Sequence, residues 1–339
     1  MAMAEQLASM LRIDEANEVE RICNRLRRVL GNELHRRGFV VAISGGIDSA
    51  VCSALAVRAI GKERVFGLLL PERDSSDSST DRGLEIVKSL GVAYEKFDIA
   101  PALEALGCYR WRDQAIQGVF PEYGAGWKSK IVIGGGHAGT FNFFKLVVQS
   151  PSGEVRESKL DSRSYLQIVA ATNFKQRVRK TMEYCHADRL NYAVIGTPNR
   201  LEYDQGFFVK NGDGSADVKP IAHLYKGQVY SLAKYLQLPA SVCNARPTTD
   251  TYSMAQGQDE FYFALPYEQM DIALLARNIG APASRLAAEL GISEDHANHI
   301  YRDIDVKRRT TAVLHWQGIT VDPVEGPMTS PCYDAGTRV

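Results

Sequence analysis

Phe39-Val40-Val41-Ala42-Ile43-Ser44-Gly45-Gly46-Ile47-Asp48-Ser49 is the stretch on which the fold turns. Its first five residues are an unbroken apolar run, which predicts a strand covered on both faces. Ser44-Gly45-Gly46 then bends the chain into a helix predicted from about Asp48 to Ile60, stopped by Gly61. Paired glycines between strand and helix let backbone amides approach a ligand with no Cβ in the way. The helix start presents unpaired N–H groups and the positive end of its dipole to an anion. Ser44 and Ser49 add hydroxyl donors. Asp48 is a poor neighbour for a bare phosphate but a good ligand for a magnesium ion bridging phosphates. No Gly-Lys-Ser/Thr follows, so this is not a Walker loop.

Outward from this loop the pattern alternates. Asp14 to Arg37 is helical in spacing, with Val19, Ile22, Cys23, Leu26, Val29 and Leu30 on one face and Gly38 as its end. Val65 to Leu70 predicts a second buried strand, and Val92 to Ile99 a third. Between them, Ser75 to Thr80 opens a helix striped by Leu84, Val87 and Leu90 and capped by Gly91. From Tyr109 to Leu160 the texture changes to aromatics, glycines and two short β-like runs. Alternation resumes with a helix over Ser164 to Asp188, a strand over Tyr192 to Ile195 and a helix over Leu224 to Leu236. Tyr267 to His315 reads as mostly helical, and the tail 322–339 as loose. The expected fold class is α/β: a doubly wound, mostly parallel sheet with flanking helices, plus a β-like insertion at 109–160, in one domain over 1–321.

A second glycine run invites a different conclusion. Gly134-Gly135-Gly136-His137-Ala138-Gly139 follows Lys130 to Ile133 and satisfies G-x-G-x-x-G. A dinucleotide-binding fold needs a helix next. Here Phe141 to Val148 is aromatic and β-branched, and Pro151-Ser152-Gly153 is a turn. A β-hairpin is predicted, which argues against a nicotinamide oxidoreductase.

Composition narrows the partners. The 339 residues include 40 basic and 40 acidic side chains, so there is no net pull toward nucleic acid or anionic membrane. The apolar runs are too short for a bilayer span, and no signal-peptide layout opens the chain. Cys23, Cys52, Cys108, Cys185, Cys243 and Cys332 are far apart, with no Cys-x-x-Cys pair, so a cytoplasmic protein with free thiols is expected.

Val194-Ile195-Gly196-Thr197-Pro198-Asn199-Arg200-Leu201-Glu202, Gly206-Phe207-Phe208 and Gly212-Asp213-Gly214-Ser215-Ala216-Asp217 follow the first loop in order. Together these motifs resemble the ammonia-dependent NAD synthetases, members of the N-type ATP pyrophosphatases, from about Arg21 to His315 with a break between Tyr109 and Leu160. The resemblance implies the PP-loop fold, related to adenine nucleotide alpha hydrolases. It implies that Ser44, Gly45, Gly46 and Ser49 hold the pyrophosphate end of ATP, with Asp48 and Glu202 sharing Mg2+. It places Arg73, Arg177, Thr197, Lys226 and Thr248 at ATP or phosphate contacts. Phe207, Lys210, Asp213 and Asp217 fall where the dinucleotide and ammonia meet, with Lys307 also near the substrate. A homodimer binding the dinucleotide across its interface is implied as well.

The chemistry is coherent on its own terms. A carboxylate oxygen attacking the α-phosphorus of ATP gives an acyl-adenylate, with AMP as the later leaving group. Magnesium, Lys226 and Arg177 would offset charge on the departing pyrophosphate. Asp213 is placed to capture ammonium and take its proton. The predicted function is ATP-dependent amidation of nicotinic acid adenine dinucleotide, and Asp48, Lys226 and Asp213 are the catalytic candidates. The length leaves no room for a glutaminase domain, so ammonia is expected free or from a separate polypeptide. Three departures from the family pattern bear on the acceptor: the insertion, Val209-Lys210-Asn211 before Gly-Asp-Gly, and Val306-Lys307-Arg308 near the C-terminus. The same chemistry on another carboxylic acid, and a non-catalytic ATP-binding homologue, stay open at this point.

Overall fold

The apolar run after Gly38 forms β1 (Phe39–Ala42), and its side chains divide between two cores. Phe39 and Val41 point into a core built with the flanking helices on one side, while Val40 points into a second core on the other. Burial on both faces is why the run carries no polar alternation. The computed structural model describes residues 6–134, 143–245, 252–254, 257, 262–263 and 265–322.

In chain order the elements begin with α1 (Leu7–Met10) and α2 (Glu15–Arg28), followed by a π turn over Val29–Glu33 and then β1. Next come α3 (Ile47–Ile60), β2 (Val65–Leu69), α4 (Asp77–Leu90), β3 (Ala93–Lys96), α5 (Ala100–Ala105) and α6 (Cys108–Gln117). The strands β4 (Lys128–Gly134), β5 (Phe143–Gln149) and β6 (Val155–Lys159) precede the long α7 (Ser162–Leu190) and β7 (Ala193–Ile195). The chain continues through α8 (Arg200–Gln205), α9 (Lys226–Tyr235), α10 (Ala240–Cys243), α11 (Tyr267–Asn278), α12 (Ala283–Leu290) and α13 (Glu294–His315).

The main sheet is parallel, in the order β3-β2-β1-β7. Strand order therefore runs outward from β1 to β3 and then jumps back to add β7 on the other side of β1. That reversal opens a crevice beyond the carboxyl ends of β1 and β7, where ligands bind in sheets of this kind. The doubly wound parallel sheet expected from the sequence is present.

Several boundaries differ from the expectation. The opening α-helix stops at Arg28 and passes through its π turn, and His35 with φ 52° ends the segment before Gly38. The third strand is short, and all four of its residues are exposed at the sheet edge, where Glu95 and Lys96 oppose further pairing. The segment after Gly107 is helical, which the sequence reading missed. Its buried positions are Cys108, Tyr109, Arg112 and Ile116, so a charged residue interrupts the apolar stripe that would have shown the helix. The β-like texture beyond it resolves into three strands rather than two. They form an antiparallel sheet of their own in the order β4-β5-β6. The hairpin expected around Gly134 is formed by β4 and β5, though its tip, 135–142, lies outside the described residues, as does the tail from 323.

Candidate active site

At the sheet's switch point the chain builds a cavity of about 540 Å³, entered by the end of β1, the start of α3, the segment after β7 and one face of α7. Ile43 still pairs with β2, its N–H donating to Leu68 O at 2.8 Å. The turn follows at once. Gly45 has φ +83°, and a Cβ there would stand 2.1 Å from the Ser79 carbonyl oxygen. Glycine is thus demanded twice at this position, by the backbone angle and by the closeness of α4. The Gly46 N–H donates to Ser44 Oγ at 3.3 Å, and Ser49 Oγ donates to Gly46 O at 2.9 Å. Ser44, Gly45, Gly46, Asp48 and Ser49 all line the cavity, where the first amides of α3 have no partner within their own helix. Arg82 braces the loop from α4, its Nε donating to Gly45 O at 3.2 Å.

Behind the loop two acidic side chains and a lysine converge. Lys226 Nζ lies 2.5 Å from Asp48 Oδ2, with only 2% of the lysine side chain exposed. Asn199 joins the second carboxylate to the first. As N-cap of α8 it accepts from the Leu201 and Glu202 amides, and its Nδ2 donates to Asp48 Oδ1 at 3.1 Å. Glu202 closes the capping box by accepting the Asn199 N–H at 3.2 Å. Burial works against the Lys226 charge, but Asp48 and Glu202 outweigh it and hold its pKa above the ordinary lysine value. The ammonium is therefore kept charged beside the glycine turn and the start of α3.

The NAD synthase profile matches residues 18–118 and 145–310, well over half of the chain.

The chain belongs to the NAD synthase family.

Two of its relatives are called NH(3)-dependent NAD(+) synthetase. One, from Rhizobium rhizogenes, is 51% identical over 315 residues, covering 93% of this chain and 95% of the relative. The other, from Mesorhizobium japonicum, is 53% identical over 307 residues, covering 90% and 96%. A solved NH3-dependent NAD synthetase from Campylobacter jejuni superposes with a TM-score of 0.61 at 21% identity, over 92% of this chain and 100% of the other, which bears on the fold alone. The break in the match to the NAD synthase family, 119–144, is narrower than the 109–160 expected. It includes β4 and the first two residues of β5, and it supplies Phe144 to the cavity wall, stacked on Tyr165 with ring centres 4.2 Å apart.

The remaining residues proposed for this family site divide sharply. Thr197, Phe207 and Asp213 line the cavity. Asp213 Oδ1 accepts the Val209 N–H at 2.8 Å. Burial raises its pKa above the usual carboxylate value, against the opposing pull of that amide, Lys180 and Arg179. Arg73 does not line this cavity. Its guanidinium lies over the Tyr109 ring, 3.8 Å from the centroid, within reach of Glu104 and Asp113, in an adjoining hollow. Asp217 is tied to the sheet instead, accepting the Val194 N–H at 2.7 Å. Lys210 donates to Val313 O at 2.9 Å, and Lys307 donates to Asp303 at 2.6 Å and to Tyr262 O at 2.7 Å. Lys307 thus stands behind Tyr262, which does line the cavity. Thr248 lies outside the described residues.

Arg177 is the other displaced candidate. Its Nε points to Lys210 O at 3.3 Å, away from the cavity. Cavity-lining residues on α7 include Asn173, Gln176, Arg179, Lys180 and Glu183, a stripe at helical spacing. One position beyond Gln176 is roughly 100° round the axis, which turns Arg177 off that face. Arg179 lines the cavity instead, its Nε donating to Leu70 O at 3.1 Å just past β2. Lys180 and Glu183 form a buried pair at 2.7 Å on the same face. Arg179→Ala is accordingly expected to raise the KM for ATP roughly tenfold or more, the scale of a lost charged hydrogen bond. Arg177→Ala is expected to change it less than about threefold, the scale of an exposed charge. Steady-state kinetics on both variants checks the assignment, and the reverse order would return the role to Arg177.

Proposed function

We propose that this cavity joins ammonia to the carboxylate of nicotinic acid adenine dinucleotide, using ATP and releasing AMP and pyrophosphate with NAD. One observation carries the reading: the buried Lys226–Asp48 pair stands beside a glycine loop at the sheet's switch point, in a chain about half identical to proteins called NH(3)-dependent NAD(+) synthetase over nine-tenths of its length.

In the first step a carboxylate oxygen of the dinucleotide attacks the α-phosphorus of ATP, and the bond to the bridging oxygen of pyrophosphate breaks. Charge grows on the departing pyrophosphate. The Gly45 to Ser49 loop and the Lys226 ammonium are the groups that meet it, already oriented and with Lys226 shielded from water. In the second step the ammonia lone pair attacks the acyl carbon, and the bond to AMP breaks. Asp213 takes the proton from nitrogen, a role suited to a carboxylate whose pKa lies above the ordinary range.

Asp48 and Glu202 offer hard oxygen donors on either side of Asn199, a set suited to magnesium, which binds through one or two carboxylates together with substrate phosphates. When bound there, the ion supplies charge neutralisation to the phosphate chain. Among the described residues no helix is long and apolar enough to cross a membrane. A cytoplasmic location belongs to the proposal and is supported by the free thiols of Cys23, Cys52 and Cys108. So does a homodimer, for which the exposed Leu166, Val313 and Trp316 offer apolar surface; light scattering showing a monomer at working concentration would remove it. Free ammonia, or ammonia from a separate glutaminase, is the proposed nitrogen source.

The reading is tested by pyrophosphate exchange. With ammonia absent, labelled pyrophosphate is expected to enter ATP only when nicotinic acid adenine dinucleotide is present. Exchange that ignores this acceptor would exclude it as the group adenylated.

A further inference from the structure

Lys226 is the first residue of α9, and its backbone is held from a distant helix. Asp271, on α11, accepts the Lys226 N–H with Oδ1 at 3.0 Å and the Gly227 N–H with Oδ2 at 2.7 Å. The first amides of a helix have no partner within it, and buried ones need a substitute. Here a single carboxylate, 3% exposed, satisfies two in succession. The fit is close: a Cβ on Gly227 would stand 3.2 Å from Asp271 Oδ2. The preceding amide is supplied separately, the Tyr225 N–H donating to Gln228 Oε1 at 2.9 Å. With its main chain fixed in this way, Lys226 spans from Asp271 at its base to Asp48 at its tip.

We infer that Asp271 is a positioning residue for the ATP half of the reaction, aiming Lys226 at the phosphate loop by clamping the start of α9. This deepens the proposed function and rests on it for the role of Lys226. The geometry gives this buried acidic side chain a task. Each Asp271 oxygen takes one of two successive N–H groups, and the carboxylate charge also favours the helix N-terminus. Burial pushes the Asp271 carboxyl up to about 7, against both amides and Lys226, while Glu268 on the same helix adds to the rise. The clamp therefore carries an electrostatic cost that simple packing would not require.

A double-mutant cycle between Asp271 and Lys226 tests the inference, with ATP affinity by calorimetry as the first readout and NAD formation as the second. Asp271→Asn keeps the shape but offers one acceptor in place of two. It is expected to weaken ATP binding and lower kcat roughly 10- to 100-fold, with the acceptor KM unchanged within about twofold. In a Lys226→Met background the same change is expected to weaken ATP binding by less than about twofold, because the side chain being aimed is gone. Equal losses in both backgrounds would show a merely structural role and overturn the inference, as would an Asp271→Asn enzyme with unchanged kcat and ATP affinity. If Asp271→Asn does not fold, Gly227→Ala presses on the same carboxylate and takes its place in the cycle. The ATP arm needs no acceptor, so it tests Asp271 even if wild-type protein forms no NAD, a result that would count against the proposed function alone.

Discussion

Asp48→Asn is expected to lower the rate of NAD formation by roughly 10²- to 10³-fold, the scale seen when one preorganised charge-stabilising group is removed from an active site. The substitution keeps an oxygen for the Asn199 Nδ2 but removes the negative partner of a lysine that is 2% exposed. Stability falls as well, by about 3 kcal/mol, since breaking one half of a buried pair leaves the other uncompensated. The pH dependence has a definite sign. Asp48 and Glu202 raise the Lys226 pKa in the folded state, so this contribution is fully present below the unfolded lysine value of about 10.4. It is lost as pH climbs through the higher folded value. The stability gap between wild type and Asp48→Asn should therefore be widest at neutral pH and narrow in strong base. Urea melts at pH 7 and above pH 10, run beside the kinetics, check both parts. An unchanged rate with a full stability loss would make the pair structural only.

Asp213→Asn separates the two half-reactions. The carboxylate lines the cavity and takes the Val209 amide with one oxygen, while its raised pKa suits it to accept a proton. Replacement is expected to slow amidation by about 10²- to 10⁴-fold, the range for a lost general base, while adenylation survives. Pyrophosphate exchange would then persist with little NAD made. Because burial lifts this carboxyl, the acidic limb of the wild-type rate should lie above the usual carboxylate range, since the base works only when ionised. Loss of exchange in step with NAD would place Asp213 in the first step instead.

What was legible in the sequence was local chemistry. Ser44 to Ser49 could be read because a turn, a helix start and an anion site are all specified within a few residues, and the cavity does open on that loop. The parallel sheet was legible for a similar reason, since β1 is buried on both faces and shows it as an unbroken apolar run. Asn199 could have been found, as Asn199-x-x-Glu202 carries a capping-box signature. Asp271 could not: it meets Lys226 across 45 residues, with no local pattern to mark it. Arg177 and Arg179 show another limit. Both are basic and near one motif, and only the rotation of α7 against the cavity separates them. Arg112 hid α6, because a charge buried against Asp74 and Asp113 occupies a position that an apolar residue would fill in a simpler helix.

Amidation of nicotinic acid adenine dinucleotide at the expense of ATP, in one cavity, is the proposed reaction. The most direct test incubates the protein with ATP, magnesium, ammonium and that dinucleotide, and measures AMP, pyrophosphate and NAD in the same samples. All three are expected in equal amounts, each dependent on the dinucleotide. AMP and pyrophosphate without NAD, or ATP bound and never cleaved, would contradict it.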